Sequence, residues 1–291
     1  ATPARAATFT ITTNTNWSAI PSRPPPSTDT VTVKNGATLT VDVTNAVAAT
    51  LNLGISGGAS NGNGTLSFSA GTSILSVGTS LVIGSGGRTG SINMASGGTL
   101  QLGGTITVTN GGTWTPGTGT VDYNAAGAQT VDASFFTSYN NLTLSGSGAK
   151  TTTGVTVNGT LSMQGTATAS AAPTYGASAV LVYAGSSSQT TGPELTATIP
   201  NLTINNANGV TLNSSPTISG TLTLTSGKIT TGSNTLIISS SGSVSGGGSS
   251  SYVIGNLQKY VATGATSRTF EVGEAADYDP VTLAFGNVTV A

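Results

Sequence analysis

A paragraph of this chain is written twice. Tyr123 is followed six residues later by Gln129-Thr130, and Tyr183 by Gln189-Thr190. Asn141-Leu142-Thr143-Leu144 returns as Asn201-Leu202-Thr203-Ile204, and Val157-Asn158-Gly159-Thr160-Leu161 as Ile218-Ser219-Gly220-Thr221-Leu222. The offsets (183−123, 201−141, 218−157) are 60, 60 and 61 residues. An offset that holds across three landmarks points to stacked structural repeats, which restrict the fold more than composition does. A shorter phrase extends the pattern: a small residue, Thr-Leu, any residue, then an apolar one. It occurs at residues 37–41, 64–68, 98–102, 159–163 and 220–224. Thr38, Thr99, Thr160 and Thr221 stand 61 apart, and the copy at Thr65 is off this phase. On this reading the long period runs from Thr38 to about residue 245.

Between the landmarks lie short alternating segments separated by Gly, Asn and Ser, such as Leu81-Val82-Ile83 and Thr105-Ile106-Thr107-Val108. Alternation with period two is the mark of a strand with one buried face. Charged residues are only 6% of the chain and Gly is 41 of 291. Disordered chains combine low hydrophobicity with high charge. This chain is instead rich in Val, Ile and Thr, which fit a pleated, half-buried surface. The composition therefore predicts an ordered all-β protein.

Two architectures fit a 61-residue repeat of short strands. In a parallel β-solenoid (β-helix), each repeat is about three coils of about 20 residues stacked on their neighbours. In the alternative, each repeat is a small antiparallel sandwich and the chain is a row of beads. Each repeat holds too few apolar residues for a core of its own. Asn-Gly and Asp-Gly hairpin turns between successive strands are scarce, and no linker interrupts the repeat. These points favour the solenoid. Its inward rows are then Leu39, Val41, Leu66, Phe68, Leu100, Leu102, Leu161, Met163, Leu222 and Leu224, with Gly and Asn at corners that need positive φ.

The ends differ from the middle. Residues 1–30 hold one alternating strand (Thr8-Phe9-Thr10-Ile11-Thr12) and a stiff Pro24-Pro25-Pro26 lead-in. Residues 31–248 form the solenoid. Residues 249–291 follow a Gly/Ser hinge and carry longer, more aromatic strands outside the repeat. A solenoid end exposes unpaired backbone and apolar rows, so this segment reads as a non-repeating C-terminal β cap or assembly module.

The run from Gly220 to Gly247 and the C-terminal pattern Tyr252-Val253-x-Gly255 with Phe270-x-Val272-Gly273 resemble repeats of large secreted bacterial surface proteins. These are the adhesin-type β-helices of the filamentous-haemagglutinin-like and autotransporter-passenger kinds. The resemblance covers most of the chain. It implies a secreted, cell-surface location and a role in adhesion, coating or assembly. No catalytic residues carry over from it.

The chemistry-bearing residues are few. Cys and His are absent, which removes thiolate chemistry and the commonest general base. A net charge of -1 gives no electrostatic case for nucleic acid and little repulsion against self-association. No apolar run approaches the roughly 18 residues of a membrane span. Glu271, Glu274, Asp277 and Asp279 cluster within nine residues and are a candidate Ca²⁺ site, although no EF-hand spacing is present. Asp122, Asp132 and Glu194 are candidate carboxylates for a polysaccharide-degrading β-helix. Thr-x-Thr runs at residues 8–10, 38–40, 105–107 and 221–223 are a candidate hydroxyl array of the ice-binding type. Tyr123 and Tyr183 read as core aromatics in equivalent repeat positions, and Trp17 and Trp114 as buried anchors.

The sequence thus points away from an enzyme and from any cofactor other than Ca²⁺. The expected function is a structural subunit of an extracellular filament or surface layer. Head-to-tail self-assembly would use terminal strands, with Phe9, Ile11, Val281, Leu283 and Phe285 as the assembly residues. An adhesin stalk that binds surface glycans is the alternative.

Overall fold

The computed structural model describes residues 6–20, 28–57 and 62–289; the Pro24-Pro25-Pro26 segment lies outside them. The chain is all-β, with parallel sheets stacked as a β-solenoid of about 12 turns. One 3-10 turn, Trp17–Ala19, is the single helical element among the described residues. Among the described residues no helix is long and apolar enough to cross a membrane. The chain divides into two compact units at residues 143 and 144.

In the first unit a long parallel sheet is built from Thr8–Ile11, Thr30–Val33, Ala46–Leu53, Ile74–Ile83, Thr99–Leu102 and Thr120–Tyr123. The Thr8–Ile11 strand is its first rung, with Phe9 opposite Val31. Each coil then turns into a second sheet of Thr15–Asn16, Ala37–Val41, Gly64–Phe68, Gly90–Asn93 and Gly111–Thr115. Inward residues stack rung on rung, as in Val31–Leu51–Leu81 on one wall and Leu39–Leu66–Ile92 on the other. All six are fully buried, each burial contributing about 1.5–3 kcal/mol. Gly54 shows why a corner needs glycine: its φ is 62°, and a Cβ there would sit 1.9 Å from the Thr89 carbonyl oxygen. Asn35, the one non-glycine residue with positive φ among those described, holds its corner with Nδ2 donating to the Thr12 carbonyl at 3.2 Å.

In the second unit the rungs are Thr156–Met163, Val180–Tyr183, Asn201–Asn205, Thr221–Ser226 and Ser243–Gly246. Leu161, Leu181, Leu202, Leu222 and Val244 fall in one column. Their steps are 20, 21, 20 and 22 residues, so three coils make up the 61-residue repeat here. A second wall joins Gln189–Thr190, Val210–Thr211, Ile229–Ile238, Thr217–Ile218 and Thr198–Ile199, and Val253–Lys259 adds to it in parallel. Parallel stacking thus continues past residue 248. The C-terminal strands Gly264–Phe270 and Val281–Val288 form a distinct antiparallel module.

All ten inward residues named from sequence are buried. The phase assigned to Thr38 needs correcting. Thr38 lies in the second sheet, directly opposite Thr65, whereas Thr99 lies in the long sheet. The spacing of 61 from Thr38 to Thr99 is coincidental, because coils of the first unit range from 20 residues (Val31 to Leu51) to 30 (Leu51 to Leu81). The small-Thr-Leu-x-apolar phrase meets the needs of any rung with one buried face, so it marks strands and not a particular wall.

Candidate functional site

The second copy of the written-twice paragraph borders a cavity that has a buried carboxylate among its lining residues. Tyr183 ends a rung of the long sheet, facing inward between Met163 and Ile204. Six residues on, Gln189 fixes the outgoing loop. Its Nε2 donates to the Met163 carbonyl at 3.1 Å, and its Oε1 accepts the Gly185 N–H at 2.9 Å. The chain then makes a tight turn over Gly192-Pro193-Glu194-Leu195, closed by Leu195 N–H donating to the Gly192 carbonyl at 3.1 Å. Pro at the second position of such a turn presets the required φ.

That turn drives Glu194 inward, to 2% exposure. Its Oε1 accepts from the Tyr183 hydroxyl and from Gly192 N–H, both at 2.7 Å. The Tyr175 hydroxyl donates to the Glu194 carbonyl at 2.8 Å. Oε2 is buried and has no hydrogen-bond partner. Gly192 is required beside it, because a Cβ there would lie 2.7 Å from Oε2. Burial pushes the Tyr175 and Tyr183 hydroxyls well above their ordinary values, and the nearby Glu194 charge adds to the effect. The cavity measures about 180 Å³ and is lined by Met163, Ala167, Tyr183, Gln189 and Glu194 together with the exposed Thr166, Thr168 and Thr190. No Lys or Arg lines it.

The first copy keeps the scaffold and surrounds it with aromatic rings. Gln129 Nε2 donates to the carbonyls of Leu102 and Gly104 at 2.7 and 2.9 Å. Asp132 caps its own turn: Oδ1 accepts the N–H groups of Ser134, Phe135 and Phe136 at 3.2, 2.8 and 3.1 Å. The Tyr123 and Tyr139 hydroxyls are bonded to each other at 2.7 Å, and the Tyr139 hydroxyl also donates to the Asp132 carbonyl. Phe136 packs against Trp114, Phe135 and Tyr139, with centroids 4.7, 5.1 and 5.6 Å away. Tyr123 and Tyr183 are both buried, as is Trp17, while Trp114 is half-buried. Asp122 is buried in the long sheet, with Gln101 Nε2 at 3.4 Å from its Oδ2.

The four acidic residues near the C-terminus do not come together as one group. Glu271 pairs with Lys259. Glu274 N–H donates to the Asp277 carbonyl, and Asp279 N–H to the Val272 carbonyl, so this segment closes on itself through its backbone. Among the described residues no three acidic side chains are grouped as metal ligands. The Thr-x-Thr runs split between walls. Thr8, Thr30, Thr50, Ser80 and Thr105 form one outward column, but the adjacent column reads Thr10, Thr32, Asn52, Val82 and Thr107. Thr38 and Thr40 face out from the other sheet.

Of the assembly residues, Phe9 is half-buried and Ile11 buried in the first rung. Val281 and Leu283 are 47% and 45% exposed, and Phe285 is half-buried. Val281, Leu283 and Tyr260 are the exposed large apolar side chains among the described residues. No family model, curated protein or solved structure matches this chain. The Glu194 carboxylate was visible in the sequence as one of three candidates. The free oxygen was not, since it depends on where the turn aims the side chain.

Proposed function

We propose that this chain is a structural subunit of an extracellular filament or surface layer, joined head to tail to further copies of itself. The observation that carries the reading is the C-terminal hairpin. A two-stranded hairpin is marginally stable alone in water. This one leaves Val281 and Leu283 in solvent on the face they share with Phe285. Its outer strand, Val281–Val288, pairs only with Gly264–Phe270, so its far edge is open among the described residues. The Thr8–Ile11 strand likewise pairs on one side only, with Thr30–Val33.

Open edges and exposed apolar side chains are a docking surface for another chain. Main-chain pairing of strands across copies supplies hydrogen bonds, and alternate side chains supply specificity. Joining two different ends gives a heterologous contact that propagates without closing a ring. The net charge of -1 offers little repulsion between copies. The extracellular setting rests on the resemblance to secreted surface proteins. Sedimentation velocity across a concentration series tests the reading. Association should weaken at least tenfold in a Val281→Asp/Leu283→Asp variant, each side chain losing about 1 kcal/mol of interface burial. A native chain that stays monomeric at high concentration would falsify it.

A further inference from the structure

We infer that the groove lined by the last rung of the long sheet and by the C-terminal hairpin is a binding site for a saccharide that carries a carboxylate. The groove lies within the second unit and measures about 330 Å³. Small-ligand pockets run from roughly 300 Å³ upward. Part of its lining comes from the segment leading into the Ser243–Gly246 rung, the last of the long sheet. The rest comes from Lys259, Tyr260, Glu271 and the Gly264–Phe270 strand.

Two cations and one acid line the groove. Lys259 Nζ pairs with Glu271 Oε2 and also donates to the Thr269 carbonyl at 2.6 Å, so these two charges offset each other. Arg268 has no acidic partner. Its Nε donates to the Tyr260 carbonyl at 3.1 Å, and its Nη1 to the Ser267 carbonyl at 2.9 Å and to Thr266 Oγ1 at 3.2 Å. Both carbonyl bonds are solvent-exposed, and together the three bonds fix the plane of the guanidinium. Nη2 keeps two N–H donors that have no hydrogen-bond partner among the described residues. A guanidinium is always charged, and its planar donors match a carboxylate. The groove therefore holds one uncompensated positive charge with donors to spare.

The remaining lining narrows the class. The Tyr260 side chain is exposed at the groove and offers an apolar ring with a polar tip. Ser240 and Ser267 are exposed there, and their hydroxyls make no hydrogen bond among the described residues. Each hydroxyl can donate and accept, as sugar hydroxyls require. A bare inorganic anion would meet Arg268 and leave the ring and the two hydroxyls unused. A neutral sugar would use those and leave the charge unmatched. A sugar acid engages all three. Val281, Leu283 and Phe285 do not line the groove, so the site is independent of the proposed assembly.

The experiment is an NMR titration of the full chain with sodium glucuronate at constant ionic strength, read at backbone amides and tyrosine rings. Glucose, sodium acetate and acetyl-aspartate amide are the matched controls. Saturable shifts at the Ser240 and Ser267 amides and the Tyr260 ring are expected with glucuronate in the millimolar range, each control binding more weakly by roughly tenfold or more. Arg268→Gln removes the charge and should weaken the glucuronate response by roughly tenfold or more. Tyr260→Ala keeps the guanidinium and the carbonyl that Nε meets, removes the ring, and should weaken the response about threefold. It serves if Arg268→Gln fails to fold. No saturable shift with glucuronate, a control that binds as well, or an undiminished response in a folded variant would overturn the assignment.

Discussion

The loops after Tyr123 and Tyr183 start from the same plan and end with opposite uses of a carboxylate. In both, a buried Tyr closes a rung and a Gln six residues later ties the loop to the coil beneath. After Tyr123 the carboxylate comes at position 132 as Asp, whose short side chain turns back onto three N–H groups of its own turn. Phe135 and Phe136 then pack against Trp114. After Tyr183 it comes at position 194 as the longer Glu, behind a Gly-Pro turn and with no aromatic residue following. The side chain reaches the Tyr183 hydroxyl and leaves its other oxygen buried without a hydrogen-bond partner. One methylene and two missing rings separate a self-satisfied turn from one that buries a carboxylate oxygen without a partner.

Four tyrosines, three buried and Tyr175 half-buried, give the largest expected effect. Tyr123, Tyr139, Tyr175 and Tyr183 all have hydroxyls raised above the ordinary value, first because burial penalises the phenolate. Folded values above unfolded ones mean that their stability is intact below about pH 10 and lost progressively above it. Each tyrosine contributes about 1.4 kcal/mol per pH unit in that range. Circular dichroism and tyrosine absorbance should change together in alkali. Glu194→Gln should lower the pH at which Tyr175 and Tyr183 ionise and leave Tyr123 and Tyr139 unmoved. A shift in all four would break the distinction between the two loops.

Smaller effects separate the carboxylates in thermal melts. Phe136→Ala should cost about 3–5 kcal/mol, as expected for a buried aromatic. Asp132→Ala, which frees three turn N–H groups, should cost about 2 kcal/mol. Glu194→Gln keeps an acceptor for the Tyr183 hydroxyl and the Gly192 N–H, and should change stability by less than about 1 kcal/mol. Equal losses at positions 132 and 194 would mean that Glu194 is structural in the same sense as Asp132.

Much of the fold is legible in the chain. Alternation identified the strands, and the inward residues from Leu39 to Leu224 follow from it, because a rung with one buried face leaves no other option. The three-coil period was readable between Leu161 and Leu222, where coils are uniform. It failed at Thr38, where coils lengthen and a shared phrase falls on a different wall. The distinct C-terminal module showed in its aromatic, non-repeating strands, although parallel pairing runs on through Val253–Lys259. The Glu194 site was legible only as a residue type. Its free oxygen arises from the Gly192-Pro193 turn, the length of the side chain and contacts with Tyr183, which no linear spacing records.

The central proposal is that the hairpin of Gly264–Phe270 and Val281–Val288 is completed by another copy of the chain. Amide hydrogen exchange of residues 264–288, followed across a dilution series, addresses it directly. Protection of the Val281–Val288 strand is expected to rise with protein concentration, while the Leu161–Leu222 rungs stay protected throughout. Protection of that strand that does not change on dilution, high or low, would contradict it.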